Sequence, residues 1–384
     1  MRSVTSHGGR LLCLSSFFAG LVFYAPIATV YRQARGLNLT SLLVIESISL
    51  ALGLLLEVPW GYVADRIGYR RTLVISSLVL FLSKIVFWKA HSFSVFLIER
   101  LLLAVANSAQ SGVDSAYLSR VDGSQKGYGV YQASGMAGLL VVSVLFPFLS
   151  DPLEQSGWLT VITSFLSLGC MVLLPEVPME EKNGHGVRWT RPRWEEVRFL
   201  LAVALVAAVN QILTVFLVQV RYQASGLAVS SFSFPYLALS LVSIAGGVWS
   251  ERLYRHRGAS LVCFSLAISG CVALAWGTGM ASAVIGVLAL RLGSTLFLPY
   301  ATRTQVSFTG EGNRATVLSL QQMGFDGVEI LLSPLLGTVA DRTISGAFWL
   351  GVLVLVIALG LLVRRPRPLR NRTSPWWPAG RTPR

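Results

Sequence analysis

Residues 40–73 read TSLLVIESISLALGLLLEVPWGYVADRIGYRRTL. Residues 40–63 of this stretch carry only two charged side chains, Glu46 and Glu57, and then Asp65, Arg66, Arg70 and Arg71 arrive together. About 20 mainly apolar residues are needed to cross ~30 Å of hydrocarbon. Lipid offers no water to backbone N–H and C=O groups, so a run of this length must satisfy them internally as a helix. The stretch therefore predicts a membrane-crossing helix that ends in a short, basic turn.

Outward from it, the same pattern recurs. Apolar runs lie near 11–31, 40–63, 71–89, 93–118, 127–149, 157–174, 196–220, 230–250, 259–277, 281–308, 314–340 and 345–363. Composition agrees: 13% of the 384 residues are charged and 53% are hydrophobic, where soluble domains carry about 25% charged residues. A soluble globule, a disordered chain and a disulfide scaffold are excluded. The expected fold is an all-α integral membrane protein with twelve transmembrane helices in two pseudo-symmetric six-helix bundles. Its expected parts are an N-terminal bundle (1–175), a polar central linker (176–198), a C-terminal bundle (199–363) and a basic tail (364–384). The first span is long enough to be retained rather than cleaved as a leader.

The net charge of +14 is distributed as blocks between apolar runs, not as a basic face interleaved with aromatics, so no nucleic-acid partner is expected. With the amino terminus inside, 24 of the 32 Lys and Arg fall in cytoplasmic segments and 5 in external ones, among them Arg32 and Arg35. Such a bias sets orientation in the cell membrane and places both termini in the cytoplasm. The basic, Pro-rich tail with Trp376 and Trp377 is expected at the anionic leaflet. Cys13, Cys170, Cys263 and Cys271 sit in apolar runs without ligand spacing, so neither a metal nor a cofactor is expected.

The chain also repeats itself. Tyr31-Arg-Gln-Ala-Arg-Gly-Leu37 returns as Tyr222-Gln-Ala-Ser-Gly-Leu227, and Gly61-Tyr-Val-Ala-Asp65-Arg66 as Gly247-Val-Trp-Ser-Glu251-Arg252. Arg100 matches Arg291, and Asp151 matches Asp341, at offsets of 186 to 191 residues. Parallel repeats of this kind mark a class of secondary transporters that hold substrate between the halves near the midplane. Gly61, Val63, Ala64, Asp65, Arg66, Gly68, Arg70, Arg71 and Leu73 resemble the major facilitator superfamily signature G-x-L-A-D-R-x-G-R-K-x-x-L between helices 2 and 3. Val63 and Tyr69 depart from it. Glu57-Val-Pro59 and the stretch around Ser111, Gly112 and Asp114 are similar to one bacterial branch of that superfamily.

The resemblance implies that Asp65 caps the cytoplasmic start of helix 11 near Arg314. Arg66, Arg70 and Arg71 would supply ion pairs, so that the two halves latch shut on the cytoplasmic side and the outward-open state is favoured. The second copy, Gly247, Glu251, Arg252, Arg255 and Arg257, is expected to do the same against helix 5.

Ionisable groups inside spans are costly and usually face a cavity. In helix 4, Arg100, Asn107, Gln110 and Asp114 fall within about 80° of one another at 3.6 residues per turn. Helix 10 offers Arg291, Thr295, Thr302 and Gln305. Helix 2 offers Glu46 and Glu57, helix 7 Asn210 and Gln211, and helix 11 Gln322, Asp326 and Glu329 with Gln321 beside them. The functional reading is a polar pathway for substrate or protons; amides at such positions also staple helices together. Lys84, alone in helix 3, is expected to reach the outer surface.

The expected function is secondary transport by alternating access, with a small-molecule substrate, protons as coupling ion, the lipid bilayer as solvent and a monomeric protein. No nucleotide-binding loop occurs. Efflux of a drug-like or amphipathic compound is the leading expectation from the resemblance. The glycine-proline antiporter signature of helix 5 is not met, because Pro147 comes late after Gly127, Gly129, Gly135 and Gly138, and uptake stays open. A lipid flippase or sensor of the same fold shares these features. A membrane-embedded lipid enzyme would need a convergent catalytic set, and His7, His91, His185 and His256 are scattered in tails and loops, so no enzyme is expected.

Overall fold

The computed structural model describes residues 7–121, 125–177, 194–255, 258–307 and 314–362, with side chains omitted at 125–126, 306–307 and 314–321. Twelve helices are long and apolar enough to cross a membrane: α1 (His7–Gln33), α2 (Leu39–Ile67), α3 (Tyr69–Lys89), α4 (Phe93–Val121), α5 (Gly127–Phe148), α6 (Pro152–Val172), α7 (Trp194–Ala224), α8 (Val229–Leu253), α9 (Ala259–Trp276), α10 (Met280–Gln305), α11 (Gln322–Arg342) and α12 (Ile344–Leu362). Among the described residues there is no strand. Most of the central linker, the basic tail, Gln321 and the Arg314 side chain lie outside the described residues.

Local chemistry sets the turns. Asn38 caps α2 by accepting from Ser41 N at 2.8 Å, and Asp151 caps α6 from Glu154 N at 3.2 Å ahead of Pro152. Such caps satisfy N–H groups that have no intrahelical partner. Gly68 joins α2 to α3 at φ 95°, a conformation in which a side chain would be strained.

Three spans depart from regular helix. α1 breaks after Gly20 and resumes through the turn Ala25–Ile27, which carries Pro26. α4 breaks at Gly112, with φ 74°. α7 widens to a π-helix over Ile212–Leu217, directly after Asn210 and Gln211.

The halves pack by one plan. In the first, α1 lies on α5 and α6, α2 on α4, and α3 on α4 and α6. In the second, α7 lies on α11 and α12, α8 on α10, and α9 on α10 and α12. Adding six to each number converts one pattern into the other, as a duplication requires. Two seams join the halves, α2 with α11 and α5 with α8, and these two are themselves symmetry mates.

Arg66 in the last turn of α2, Arg70 and Arg71 in the first turn of α3, and Arg252 and Arg255 at and just past the end of α8 lie on one side, and we refer to this side as the basic end. At the opposite end an aromatic core forms: Tyr24 and Tyr31 stack on Phe87 at 3.9 and 4.5 Å, and Phe96 meets Phe87 edge-on at 5.8 Å.

Candidate functional site

The two inter-half seams are fastened at the opposite end. On α11, Asp341 reaches the first turn of α2, accepting from Leu39 N and Thr40 N, both at 2.8 Å, and from Thr40 Oγ1 at 2.5 Å. A carboxylate at a helix N-terminus is favoured by the orphan N–H groups and by the dipole. Deeper in, Ser47 Oγ donates to Ile330 O at 3.0 Å. A Cβ built on Gly337 would sit 2.9 Å from Thr40 Cα.

A Cβ at Gly53 or Gly61 of α2, or at Gly327 of α11, would meet nothing within 4 Å. The other seam is similar: Phe146 and Phe232 are buried at the opposite end, while Gly129 and Gly247 are open. Between α1 and α7, Gln219 Oε1 accepts from Thr29 N at 2.8 Å. These inter-half contacts lie toward the opposite end, and we refer to the space between the halves on their basic side as the cleft.

Near the floor of that cleft lies a chain of charges. Arg100 pairs with Glu46 at 3.0 Å and with Glu99 at 3.8 Å, and Glu99 pairs with Arg32 at 3.5 Å. Glu99 is 0% and Arg32 2% exposed, and the Arg32 guanidinium also rests over Phe87 and Phe96 at 5.0 and 5.8 Å. Two cations and two anions leave the chain formally neutral, which is the condition for keeping charges out of water. Across the seam from α11, Glu329 is 9% exposed and lies in the field of Glu46, Asp326 and Arg100. No basic side chain comes within ion-pair distance of it among the described residues. One helical turn further out, Asp326 accepts from Gln322 Nε2 at 2.8 Å.

A second polar site opens at the basic end. The break at Gly112 interrupts the helix-4 stripe, so Asp114 belongs to a separate segment, Val113–Val121, and not to the helical face of Arg100. The shared face of about 80° read from the sequence assumed an unbroken helix and does not carry past this break. What reunites the residues is Tyr131 of α5, which donates to Asp114 Oδ2 at 3.0 Å and accepts from Gln110 Nε2 at 3.1 Å. Ser115 adds a backbone and a hydroxyl donor to Asp114 Oδ1, at 2.6 and 3.1 Å, and bonds to the Tyr128 hydroxyl. These groups and Asn107 line a cavity of about 430 Å³.

The remaining candidates are dispersed. Asn210 is buried with Oδ1 unpaired, and Gln211 is half-buried beside it. Arg291 donates from Nε to Ser243 Oγ at 2.8 Å, and Thr295 folds back onto Arg291 O. Gln305 is buried near the basic end, away from these groups. Glu57 is exposed on the open wall.

The latch expected between Asp65 and the start of α11 involves the Arg314 side chain, which lies outside the described residues. Gly61, Asp65 and Arg66 are exposed, and Arg66 lies over the Tyr62 ring at 4.3 Å. Arg70 donates to Val172 O at 2.8 Å, and both Arg70 and Arg71 face Glu176, at 3.6 and 4.0 Å. In the second copy, Glu251 faces Arg303 at 3.7 Å, and Tyr254 stacks on Tyr300 at 3.7 Å. Burial chiefly, then the neighbouring Cys263, raises the Tyr254 phenol above its ordinary range, so it stays protonated. All these partners lie in the signature's own half.

Sequence reasoning missed several groups. Glu99 went unread although an adjacent Glu-Arg pair in an apolar run demands partners for both. Arg32 was assigned to an external loop, yet α1 runs to Gln33 and buries it. Lys84 does not reach the surface; it is 6% exposed and donates to the Tyr24 hydroxyl at 2.9 Å. Tyr128 and Tyr131 carried no signal beyond being aromatic.

A family model described as Major Facilitator Superfamily matches residues 11–290. No curated protein matches the sequence. Among solved structures the chain is similar to the nucleoside transporter NupG, at 13% identity and TM-score 0.75, covering 92% of this chain and 98% of that one. It is also similar to a D-xylose-proton symporter, at 13% identity and TM-score 0.68, covering 93% and 97%. A peptide transporter, POT, solved with sulfate matches at 14% identity and TM-score 0.71, covering 94% and 95%. Identities this low establish a shared fold, and the chemistry must be argued from the site.

Proposed function

The chain belongs to the major facilitator superfamily, and on that premise we propose that it exports a small drug-like or amphipathic compound by proton-coupled alternating access. Its fold and family are those of a multi-pass membrane transporter rather than an enzyme. The observation that supports the proposal is the α2–α11 seam, fastened between Asp341 and Thr40 at the opposite end and with room for a Cβ at Gly53, Gly61 and Gly327 nearer the basic end. A cleft with one closed mouth is one of the two states that a rocking pair of bundles needs.

The basic end faces the cytoplasm of the cell membrane in this reading, because Lys and Arg concentrate there. Residues 1–175 and 199–363 move as the two halves, residues 176–198 tether them, and a single copy suffices. The pathway runs from Asp114, Gln110 and Asn107 past Gln322 and Asp326 to Glu46, Arg100 and Glu329, with Asn210, Gln211 and Arg291 on the facing half. Gln305 and Glu57 flank its cytoplasmic mouth. Glu329 is the proton carrier: it is buried at the floor, borders an ion pair it could join, and comes from the half opposite Arg100. Taking up or releasing a proton there changes the attraction between the halves.

The test is flux of a compound panel in inverted vesicles under an imposed pH gradient. Wild type is expected to concentrate at least one compound when the gradient is present. Glu329→Gln should lose gradient-driven accumulation and keep substrate exchange. Unchanged accumulation in Glu329→Gln removes Glu329 from coupling. Accumulation under the reversed gradient favours uptake, which the departure of Pro147 from the antiporter pattern keeps as the second reading.

A further inference from the structure

The cavity at the break in α4 is a polar notch in which Asp114 is the charged side chain among the described residues. Gly112 adopts φ 74°, and a Cβ there would meet nothing within 4 Å, so glycine serves the backbone bend and not a close approach. The bend turns the helix aside and leaves about 430 Å³ between α4 and α5, within the ~300–1,000 Å³ usual for small-molecule sites.

Asp114 hangs on this wall with its carboxylate placed by Tyr131 and Ser115. No Lys or Arg lies within ion-pair distance of it among the described residues. On the floor, Glu46 has Arg100 and Glu99 has Arg32 as counterions. The rest of the notch is neutral, formed by the amides of Asn107 and Gln110, the Ser111 hydroxyl, and the Tyr128 and Tyr131 rings, whose centroids are 6.4 Å apart at 67°.

Each ligand class fares differently here. An anion meets a carboxylate with nothing to offset the repulsion. A purely apolar molecule strips water from amides and hydroxyls without replacing their hydrogen bonds. An ammonium group supplies charge to Asp114, three donors to the surrounding oxygens, and a cation for the two aromatic faces. The volume left over admits a small carbon skeleton attached to it.

We propose that this notch is a binding site for the head group of a protonated organic amine, occupied from the open basic end before the substrate reaches the floor. The inference rests on the transporter reading, and it narrows the substrate class to amines. Asp114 binds substrate, and Tyr131 is a positioning residue that aims the carboxylate.

The experiment is saturation binding of radiolabelled phenethylamine to the full chain in nanodiscs, with 2-phenylethanol and phenylacetate as neutral and anionic competitors. Phenethylamine is expected to bind saturably, and neither competitor to displace it. Asp114→Asn should weaken binding by about tenfold, the scale of a hydrogen bond to a charged group. Asp114→Glu should recover part of the loss, and Tyr131→Phe should cost about threefold. Displacement by 2-phenylethanol as effective as by unlabelled amine overturns the proposal without recourse to any variant. So does wild-type affinity in Asp114→Asn. Vesicle flux separates the two readings: amine binding with no flux of any compound sinks transport alone, whereas flux of other compounds with no amine binding sinks the amine site alone.

Discussion

Glu99 is the residue on which the floor of the cleft depends. It is fully buried, neither of its oxygens accepts a hydrogen bond among the described residues, and it stands between Arg32 and Arg100. Removing one partner of a buried pair strands the other charge, at a cost of about 3–5 kcal/mol. Glu99→Gln should lower the melting temperature in detergent accordingly. The double change Arg32→Leu with Glu99→Leu should recover most of that loss; a double variant no more stable than the single would refute the pairing. At this scale the sequence was partly legible. Arg100 and Glu46 could be picked out because isolated charges in apolar runs need a reason. Their companions were hidden by position, Arg32 one residue past the apolar run read as 11–31, and Glu99 beside a more conspicuous neighbour. The tyrosines of the notch were illegible, since an aromatic residue in a membrane helix is ordinary until its hydroxyl is seen between two polar groups.

Single helices carry the fastening. The α2–α11 seam is held by one carboxylate reaching three donors, and its symmetry mate is not, because Asp151 spends its oxygens on its own helix at Glu154 N. Asp341→Asn keeps the shape and loses the charge, so the seal should weaken by about 1 kcal/mol, roughly fivefold in the balance between closed and parted. Labelling of a cysteine placed at Ser47, now buried behind the seal, should rise by that factor; an unchanged rate would mean the cap does not hold the seam. Gly337→Leu should have a larger effect in the same direction, since even a Cβ there crowds Thr40. The spans themselves were readable from hydropathy and length, and every one recurs in the structure within several residues. The break in α4 was not, because one glycine among many gives no sign that its φ is positive. Nor was the wide turn in α7, whose residues Ile212–Leu217 are as apolar as those on either side.

For the whole molecule, the duplication could be read in the repeated motifs, and the packing obeys it helix by helix. Which mouth is shut could not be read. Both arrangements use the same helices and differ in a few contacts between bistable interfaces. If rocking is the working motion, a covalent tie across the sealed seam should stop it. The pair Thr40→Cys and Gly337→Cys, in a chain whose Cys13, Cys170, Cys263 and Cys271 are replaced, should lose flux on oxidation and regain it on reduction. Flux that survives complete cross-linking would show that this seam need not part. The same geometry gives the α7 turn a consequence. A π turn carries one residue more than an α turn, so tightening Ile212–Leu217 would wind everything beyond it by about 100°. Gln219, whose amide oxygen receives Thr29 N, sits just past that point. A ratchet of one residue in the membrane's interior would thus uncork the far mouth, with Asn210 and Gln211 as the teeth that a passing cargo could push.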